Sequence, residues 1–507
     1  MPPSTGPSPL FEPLQASPRL VAQMTGLTLQ QSALEVQQQH KLKRMLRRIR
    51  EARRIRTPRS GRMHVHAKPS MPSLSLPPPK VVVGEAGNDE EWSDTASDDT
   101  VRMVRKPDII MDISDAPNEA ELQRRVARLI TSVFEPRTPL LDTHVGVHRL
   151  SGAMTNSVYM VTLSTNRPTP LLSKYLLRVY GTGVDELLSR EKELYWLAQL
   201  THLGFGPQVF GIFGNGRLEE YLESTTLGRG DIRDGSTSKH IARRMSELHA
   251  LVSYYRPARS IGSIGSSGSS AFESGQPELW ANVDSWMLLV RQKWEHITRM
   301  CSKSPECMRV LESWPSVERC VARLRAHISG IHSPIVFAHA DLQYGNILRL
   351  EQTGELVVVD FEYAGYNYRG FDIANHFCEW MADYHASDPH LLDPASYPTQ
   401  DQRRGFLRTY IKSNAFLDAN MRANPSVVES EIDDGALRAV SMSEERVYNE
   451  VVEMEREVAM FVPASHLHWG VWGLVQAASS EIEFDYAGYA AQRLSLFMQL
   501  VGEMSES

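Results

Sequence analysis

Three polar residues in one short segment could carry phosphoryl-transfer chemistry. Asp341 is followed by Asn346, and Asp360 ends an apolar run further along the chain. A positioned carboxylate can accept the proton of an attacking hydroxyl, and carboxylate and amide oxygens are the hard ligands that Mg²⁺ prefers. Asp alone is often a turn or cap residue. The prediction of a phosphoryl-transfer site therefore depends on the joint pattern of the three residues.

A β-hairpin is predicted to position these groups. Two apolar runs flank the turn residues Thr353 and Gly354, and the second run, Val357 to Val359, ends on Asp360. The hairpin would carry a carboxylate and an amide at its entry and a second carboxylate at its exit. The order Asp, Asn, strand, Asp is also that of protein kinases. The HRD and DFG triplets of protein kinases are missing, which disfavours a protein substrate.

The segment from His339 to Trp380 resembles the choline/ethanolamine kinases, within the kinase-like superfamily that includes aminoglycoside phosphotransferases. The similarity is carried by Asp360-Phe-Glu-Tyr, by the run from Tyr366 to Trp380, by Ser465 to Gln476 and by Ser480 to Tyr489. It covers residues 110–505 and excludes the first part of the chain. The family usually has His-Asn-Asp where this chain has His339-Ala340-Asp341. We expect that missing Asn side chain to order the loop rather than to take part in chemistry.

The resemblance implies roles for individual residues and for the ligands of the reaction. ATP is the implied co-substrate, Mg²⁺ the implied cofactor, and a homodimer the implied assembly. The catalytic set would be Asp341 as base with Gln343 and Asn346, and the metal set Asn346, Asp360 and Glu362.

The nucleotide-binding residues give a weaker signal. The turn from Leu150 to Asn156 between two predicted strands could cover phosphates, but its single glycine is equally compatible with an ordinary turn. Arg178 lies on the next predicted strand, where the family has an Arg suited to phosphate oxygens; a surface Arg on an edge strand is the alternative. Glu191 is its predicted ion-pair partner, and the adenine hinge is predicted near Glu219 to Leu222. The candidate nucleotide contacts are Ser151, Gly152, Asn156, Arg178, Glu191 and Glu220.

Aromatic residues in the similar segments predict a pocket for a cationic acceptor. A quaternary ammonium has no N–H donor and is held best by aromatic faces, at ~2 kcal/mol or more when desolvated. Trp469 and Trp472 would share one helix face, although such a stripe can also be simple core. Glu379 is predicted to balance the ammonium charge. The candidate acceptor contacts are Tyr363, Glu379, Tyr384, Trp469, Trp472, Phe484 and Tyr489.

The expected acceptor is choline, with ethanolamine as a slower substrate. Gln343-Tyr344-Gly345 has the form found in choline kinases, whereas ethanolamine kinases tend to have apolar residues there. The product would be phosphocholine, at the entry to phosphatidylcholine synthesis. Two alternatives remain open: an ethanolamine kinase, and a kinase-fold binding protein that works through a basic tail.

The expected fold class is α+β, a bilobal protein-kinase-like fold with a small β-rich N-lobe and a larger, mainly helical C-lobe. Residues 1–107 are predicted to be a disordered tail, 108–225 the nucleotide-binding N-lobe, and 226–507 the C-lobe with a flexible insert at 256–277. The tail has few aromatic residues and is rich in Pro, Ser and Gln. Within it, ten basic residues lie in 41–59 and seven acidic residues in 85–99. These blocks predict a solvated tail, with contact to an anionic membrane or to import machinery as the alternatives.

The composition is that of a globular protein. Apolar residues make up 42% and charged residues 23% of the 507 residues, and the formal net charge is −7. This balance excludes collagen-like and disulfide-scaffold classes and disfavours general nucleic-acid binding. Four cysteines without a CxxC pair predict a reducing compartment and no zinc site. Since no apolar run reaches the length of a membrane span and the start lacks a secretory signal, the expected location is cytoplasmic.

Overall fold

The computed structural model of the chain describes residues 104–106, 108–111, 118–134, 145–150, 156–164, 174–180, 190–203, 205–253, 276–423, 442–480 and 482–504. Most of the predicted tail, residues 256–275 of the predicted insert, and Ser151 and Gly152 lie outside these ranges. The predictions of a disordered tail and a flexible insert therefore stay predictions.

The first lobe is a twisted sheet with a helix packed on it. Its elements are β1 (Val104–Lys106), α1 (Glu119–Phe134), β2 (Val145–Leu150), β3 (Asn156–Leu163), β4 (Lys174–Tyr180), α2 (Arg190–Leu203), β5 (Val209–Phe213) and β6 (Gly216–Glu220). The strand order in the described part is β1-β5-β6-β4-β3-β2, with β1 parallel to β5 and the other neighbours antiparallel. The buried face of α1 repeats at helical spacing through Val126, Ile130 and Val133 and packs on sheet residues such as Tyr175 and Phe210.

The second lobe is mainly helical with small sheets at the junction. Its elements are β7 (Ser224–Thr226), α3 (Gly235–Ser253), α4 (Glu278–Gln292), α5 (Trp294–Cys301), α6 (Pro305–Glu312), α7 (Trp314–Ser329), β8 (Ile335–Ala338), β9 (Ile347–Leu350), β10 (Leu356–Val358), β11 (Gly365–Tyr368), α8 (Arg369–Glu379), α9 (Gln400–Ala423), α10 (Glu444–Ser479) and α11 (Tyr486–Glu503). The predicted hairpin is confirmed, since β9 and β10 pair antiparallel. Strand β11 pairs with β8, so the segments before Asp341 and after Asp360 are joined side by side. No helix in the ranges described is long and apolar enough to span a membrane.

Two predicted domain limits differ from the structure. Strand β1 lies inside the predicted tail but pairs with β5, and Met111 packs in the N-lobe core, so these described residues pack with the N-lobe. A three-residue strand at a sheet edge has too few residues for a periodic pattern, which is why the sequence did not predict it. Strand β7 straddles the predicted limit at residue 225 and pairs with β9 of the second lobe.

Helices α10 and α11 approach closely where the candidate aromatic residues lie. A Cβ on Gly470 would lie 2.7 Å from Cγ of Leu494, and one on Gly473 would lie 3.1 Å from Cβ of Ala490. Glycine is needed at these positions because the neighbouring helix occupies the space of a side chain. This approach sets Trp472 of α10 against Tyr489 of α11.

Candidate active site

The loop that carries Asp341 begins with a left-handed residue. Ala340 has φ +63° and Asp360 has φ +67°, and both are residues with a Cβ. Such backbone costs energy and persists only where surrounding contacts impose it. Asp372 of α8 supplies two of these contacts, accepting the backbone N–H groups of His339 at 2.9 Å and Ala340 at 2.7 Å. Asn375 adds a third by donating to the Ala340 carbonyl at 3.0 Å.

A buried chain of hydrogen bonds from Tyr410 through His249 holds Asp372 in place. His249 of α3 contacts the Asp372 carboxylate through Nε2 at 2.8 Å and the Tyr410 hydroxyl through Nδ1 at 2.9 Å. Burial alone would raise the pKa of Asp372, but the hydrogen bond from His249 and the backbone donors bring it below its ordinary value. The carboxylate is therefore a stable charged acceptor beneath the catalytic loop.

Asp341 and Asn346 form a direct pair. Nδ2 of Asn346 donates to the Asp341 carboxylate and to its backbone carbonyl, each at 2.8 Å. Its Oδ1 then has no donor among the described residues and is left for another ligand. Gln343 is used differently, because its Oε1 accepts the Gly345 N–H at 2.7 Å and caps the short 3₁₀ turn Tyr344–Asn346. In the structure Gln343 shapes the loop.

Negative charge is concentrated around Asp341. Burial raises the pKa of its carboxyl well above the ordinary value, and the neighbouring charges of Glu379, Asp360 and Glu362 raise it further. Asp360 contacts Nη1 of Arg178 at 3.4 Å, so the predicted metal ligand and the predicted phosphate ligand meet across the two lobes. A site with this excess of carboxylates is suited to cationic ligands.

The predicted nucleotide residues are only partly brought together. Arg178 is buried, and its Nε has no hydrogen-bond partner among the described residues. The ion pair described for it is with Asp360, whereas the side chains of Asn156 and Glu191 lie outside the described part. Glu220 accepts the Gln208 N–H at 3.2 Å.

The carboxylate next to Glu220 is occupied by another contact. Glu219 is bound to the buried Arg217, which also contacts Glu193 of α2 at 2.5 Å. This ion-pair cluster fixes α2 to the sheet beside Arg178.

The predicted aromatic residues do form one cluster. The Trp472 indole donates to the Tyr363 hydroxyl at 2.8 Å, and the Trp469 indole donates to Asn375 Oδ1 at 2.7 Å. The ring centroids of Tyr363 and Trp469 are 5.1 Å apart, those of Trp469 and Trp472 are 5.3 Å apart, and Tyr489 lies 6.1 Å from Trp472. Phe484 extends the cluster at 5.8 Å from Tyr489. All indole and phenol contacts named here fix ring positions, as a preformed aromatic wall requires.

Glu379, predicted to balance the ammonium charge, has two partners within the protein. It is 1% exposed, accepts from Arg493 Nη2 at 2.8 Å and accepts from the Tyr384 hydroxyl at 2.6 Å. These partners stabilise the buried carboxylate, because burial of a lone charge would be too costly. Arg493 was missed by sequence reasoning. The sequence signal that could have identified it is a single Arg in an apolar helix, one turn after Tyr489. Its guanidinium carbon lies 5.1 Å from the centroid of the Tyr489 ring.

Comparisons with known proteins identify the family that this chain resembles. A family model described as choline/ethanolamine kinase matches residues 147–498. A probable choline kinase of Arabidopsis thaliana is 32% identical over 378 residues, which are 74% of this chain and 91% of that protein. A choline/ethanolamine kinase of Homo sapiens is 32% identical over 369 residues, 71% of this chain and 81% of that protein.

The fold is shown by a solved relative. The structure of a Plasmodium vivax ethanolamine kinase superposes with a TM-score of 0.56 at 22% identity, covering 75% of this chain and 89% of that one. The predicted two-lobed, kinase-like class is confirmed. Since the family model matches more than half of the chain, over a range that includes the strained loop, the carboxylates and the aromatic cluster, the chain belongs to the choline/ethanolamine kinase family.

Proposed function

We propose that this family member transfers the γ-phosphoryl group of ATP to the hydroxyl of choline, giving phosphocholine and ADP, with ethanolamine as a slower acceptor. The observation that supports the proposal is that Asp341, bonded to Asn346 at 2.8 Å, is close both to the charge of Asp360 and to Tyr363, which contacts Trp469 of the aromatic cluster. The first group of residues serves phosphoryl transfer, and the second serves a methylated ammonium.

The base and the acceptor are proposed to meet at Asp341. Its carboxylate would orient the choline hydroxyl and accept its proton, because Asn346 fixes one of its oxygens while the other stays available. The raised pKa of Asp341 favours proton uptake during transfer. Water would be excluded on the far side by the indole and phenol rings, which are each less than a tenth exposed.

Magnesium fits the residues present. Among the described residues Asn346 Oδ1 has no donor, and Asp360 is one of the carboxylates that raise the pKa of Asp341. No cluster of three His, Cys, Asp or Glu side chains in the described part forms a complete metal cage, and Mg²⁺ commonly takes only one or two carboxylates plus phosphate and water. Asn346, Asp360 and Glu362 would hold the ion. Bound there, it would supply positive charge to the transferring phosphate.

Arg178 is proposed to contact the ATP phosphates. Its unpartnered Nε is a buried donor without an acceptor, and its guanidinium lies 3.4 Å from Asp360. A planar guanidinium binds phosphate oxygens through several donors at once. The homodimer, the cytoplasmic location and contact of the tail with membrane or import machinery stay predictions.

The test is steady-state turnover of ATP by the full chain with choline, ethanolamine and an aminoglycoside as separate acceptors. We expect kcat/KM to rank choline above ethanolamine, with no turnover of the aminoglycoside. Higher kcat/KM for ethanolamine would assign the chain to that substrate instead. No acceptor-dependent turnover by folded protein would favour the binding-protein alternative.

A further inference from the structure

The catalytic loop contains a buried tyrosine that contacts a candidate acceptor residue, Tyr384. Tyr344 lies between Gln343 and Asn346 and is 1% exposed. Its hydroxyl accepts the backbone N–H of Tyr384 at 2.7 Å and lies 3.4 Å from Nδ1 of His385. The rings of Tyr344 and Tyr384 are 5.7 Å apart. Tyr344 thus fixes both the backbone and the ring of Tyr384.

Tyr384 in turn contacts the carboxylate of Glu379. Its own hydroxyl donates to Oε2 of Glu379 at 2.6 Å, while Arg493 donates to Oε1 at 2.8 Å. Each oxygen of Glu379 therefore accepts one hydrogen bond, and the side chain is buried. The charge of Glu379 still reaches the base, since it is the largest charge contribution to the raised pKa of Asp341.

A buried, hydrogen-bonded carboxylate has different consequences for binding of choline and of ethanolamine. Choline has no N–H and needs only aromatic faces, whereas the ammonium of ethanolamine has three N–H donors that need acceptors once water is removed. A buried donor without an acceptor is costly. With Glu379 buried and bonded to Tyr384 and Arg493, the aromatic rings face the methylated head, whereas the Glu379 oxygens are not exposed to a primary ammonium.

We propose that Tyr344 is a positioning residue for acceptor selection: through Tyr384 it keeps Glu379 buried and hydrogen-bonded and so favours choline over ethanolamine. The inference rests on the proposed function and deepens it. Loss of the Tyr344 hydroxyl leaves the Tyr384 N–H without its acceptor and releases the 383–385 segment. The Tyr384 phenol then leaves Glu379, and one carboxylate oxygen becomes available to an N–H donor.

The test compares Tyr344→Phe and Tyr384→Phe with the parent protein. The readout is kcat/KM for ethanolamine, N-methylethanolamine, N,N-dimethylethanolamine and choline, a series with three, two, one and no N–H groups. We expect both variants to raise the ethanolamine-to-choline ratio of kcat/KM, by about three- to tenfold as for one hydrogen bond. The increase should be graded along the series. The KM for ATP should stay within about twofold, since the contacts removed are all on the acceptor side.

Tyr397→Phe is the matched control. Its ring is half-buried, its hydroxyl has no hydrogen-bond partner in the described part, and it lies outside the catalytic and acceptor residues. This variant should leave the acceptor ratio unchanged.

Three results would overturn the inference. They are an unchanged ratio in both variants, a shifted ratio in Tyr384→Phe alone, and an equal loss with every acceptor and with ATP together with a lowered melting temperature. Measurements on the parent protein separate failure of this inference from failure of the proposed function. If the proposed function fails, the parent protein shows an absent or inverted choline preference before any substitution is made.

Discussion

Ala340 illustrates how a single residue can run against its local preference. A left-handed backbone costs roughly 1–2 kcal/mol for a residue with a Cβ, yet Ala340 has φ +63° in the loop that presents Asp341. Asp372 and Asn375 impose this conformation through three hydrogen bonds. The sequence predicted the loop and its departure from the family's usual Asn. It could not predict the backbone angle, because the contacts that set it come from a helix more than thirty residues away.

Replacing Ala340 with Gly tests the strain directly. Glycine adopts the left-handed region without steric cost, although it loses more entropy on folding. We expect Ala340→Gly to change the free energy of unfolding by between zero and about +1 kcal/mol, with turnover retained. The control is Ala338→Gly in strand β8, an equally buried alanine in extended backbone, which should lose about 1 kcal/mol or more. Urea unfolding measures both, and an equal loss at the two positions would show that Ala340 is unstrained.

Glu379 and Arg178 show the same limit for charged residues. Each was predicted as a functional group from its position in a motif. Their partners, Arg493 and Asp360, lie 114 and 182 residues away in sequence. Ion pairs between residues so far apart in sequence form only in the folded chain. The sequence could therefore identify the candidate residues but not their ion-pair partners.

At the scale of the element, helix α10 was predictable in part. The spacing of Trp469 and Trp472 correctly predicted a shared helix face, and the structure pairs their indoles with Asn375 and Tyr363. The neighbouring His468 gave no sequence signal of its surroundings. It is fully buried, its ring centroid lies 4.6 Å from that of Trp286, and neither ring nitrogen has a partner among the described residues.

His468 should lower the free energy of unfolding by a larger amount as the pH falls. Burial, with the charge of Arg493, lowers the pKa of its imidazole to about 3. An unfolded histidine has a pKa of about 6.5, so the unfolded state takes up a proton first as the pH falls. The folded state therefore loses stability as pH falls from about 6.5 towards 3, at up to about 1.4 kcal/mol per pH unit.

His468→Phe should remove both the unsatisfied nitrogens and this pH dependence. We expect the free energy of unfolding to rise by about 1 kcal/mol at pH 7. The difference from the parent should widen by about 2 kcal/mol at pH 5. Exposed His332 gives the control, since His332→Phe should stay within about 0.5 kcal/mol of the parent at pH 7. A difference that does not depend on pH would contradict a neutral, desolvated imidazole.

At the scale of the whole molecule, the two lobes and their order followed from the change of hydrophobic period along the chain. The limits between them did not, because β1 and β7 are three-residue strands that gain their identity only from partners in β5 and β9. Met111 is fixed beyond β1 by a reciprocal pair of hydrogen bonds with Asn215, at 2.8 and 2.9 Å. The described residues within 104–111 therefore pack with the N-lobe.

Two truncations locate the functional start of the enzyme. Deleting residues 1–103 should leave kcat, both KM values and the melting temperature largely unchanged, because all candidate site residues and β1 remain. Deleting residues 1–111 should lower the melting temperature by several degrees, since it removes an edge strand and the buried Met111. Thermal unfolding and choline turnover measure both. A loss of most activity in the shorter deletion would show that the tail completes the site or the dimer.

The most direct test of a choline kinase built around Asp341 is the identity of the phosphorylated product. The full chain is incubated with ATP, Mg²⁺ and choline, and phosphocholine and ADP are quantified by ³¹P NMR for the parent and for Asp341→Asn. We predict one phosphocholine per ADP for the parent and a loss of at least about 100-fold in kcat for the variant. The variant's melting temperature should be at or above that of the parent, because neighbouring carboxylates disfavour the ionised Asp341. Absence of phosphocholine with folded parent protein, or near-normal turnover by Asp341→Asn, would contradict the account.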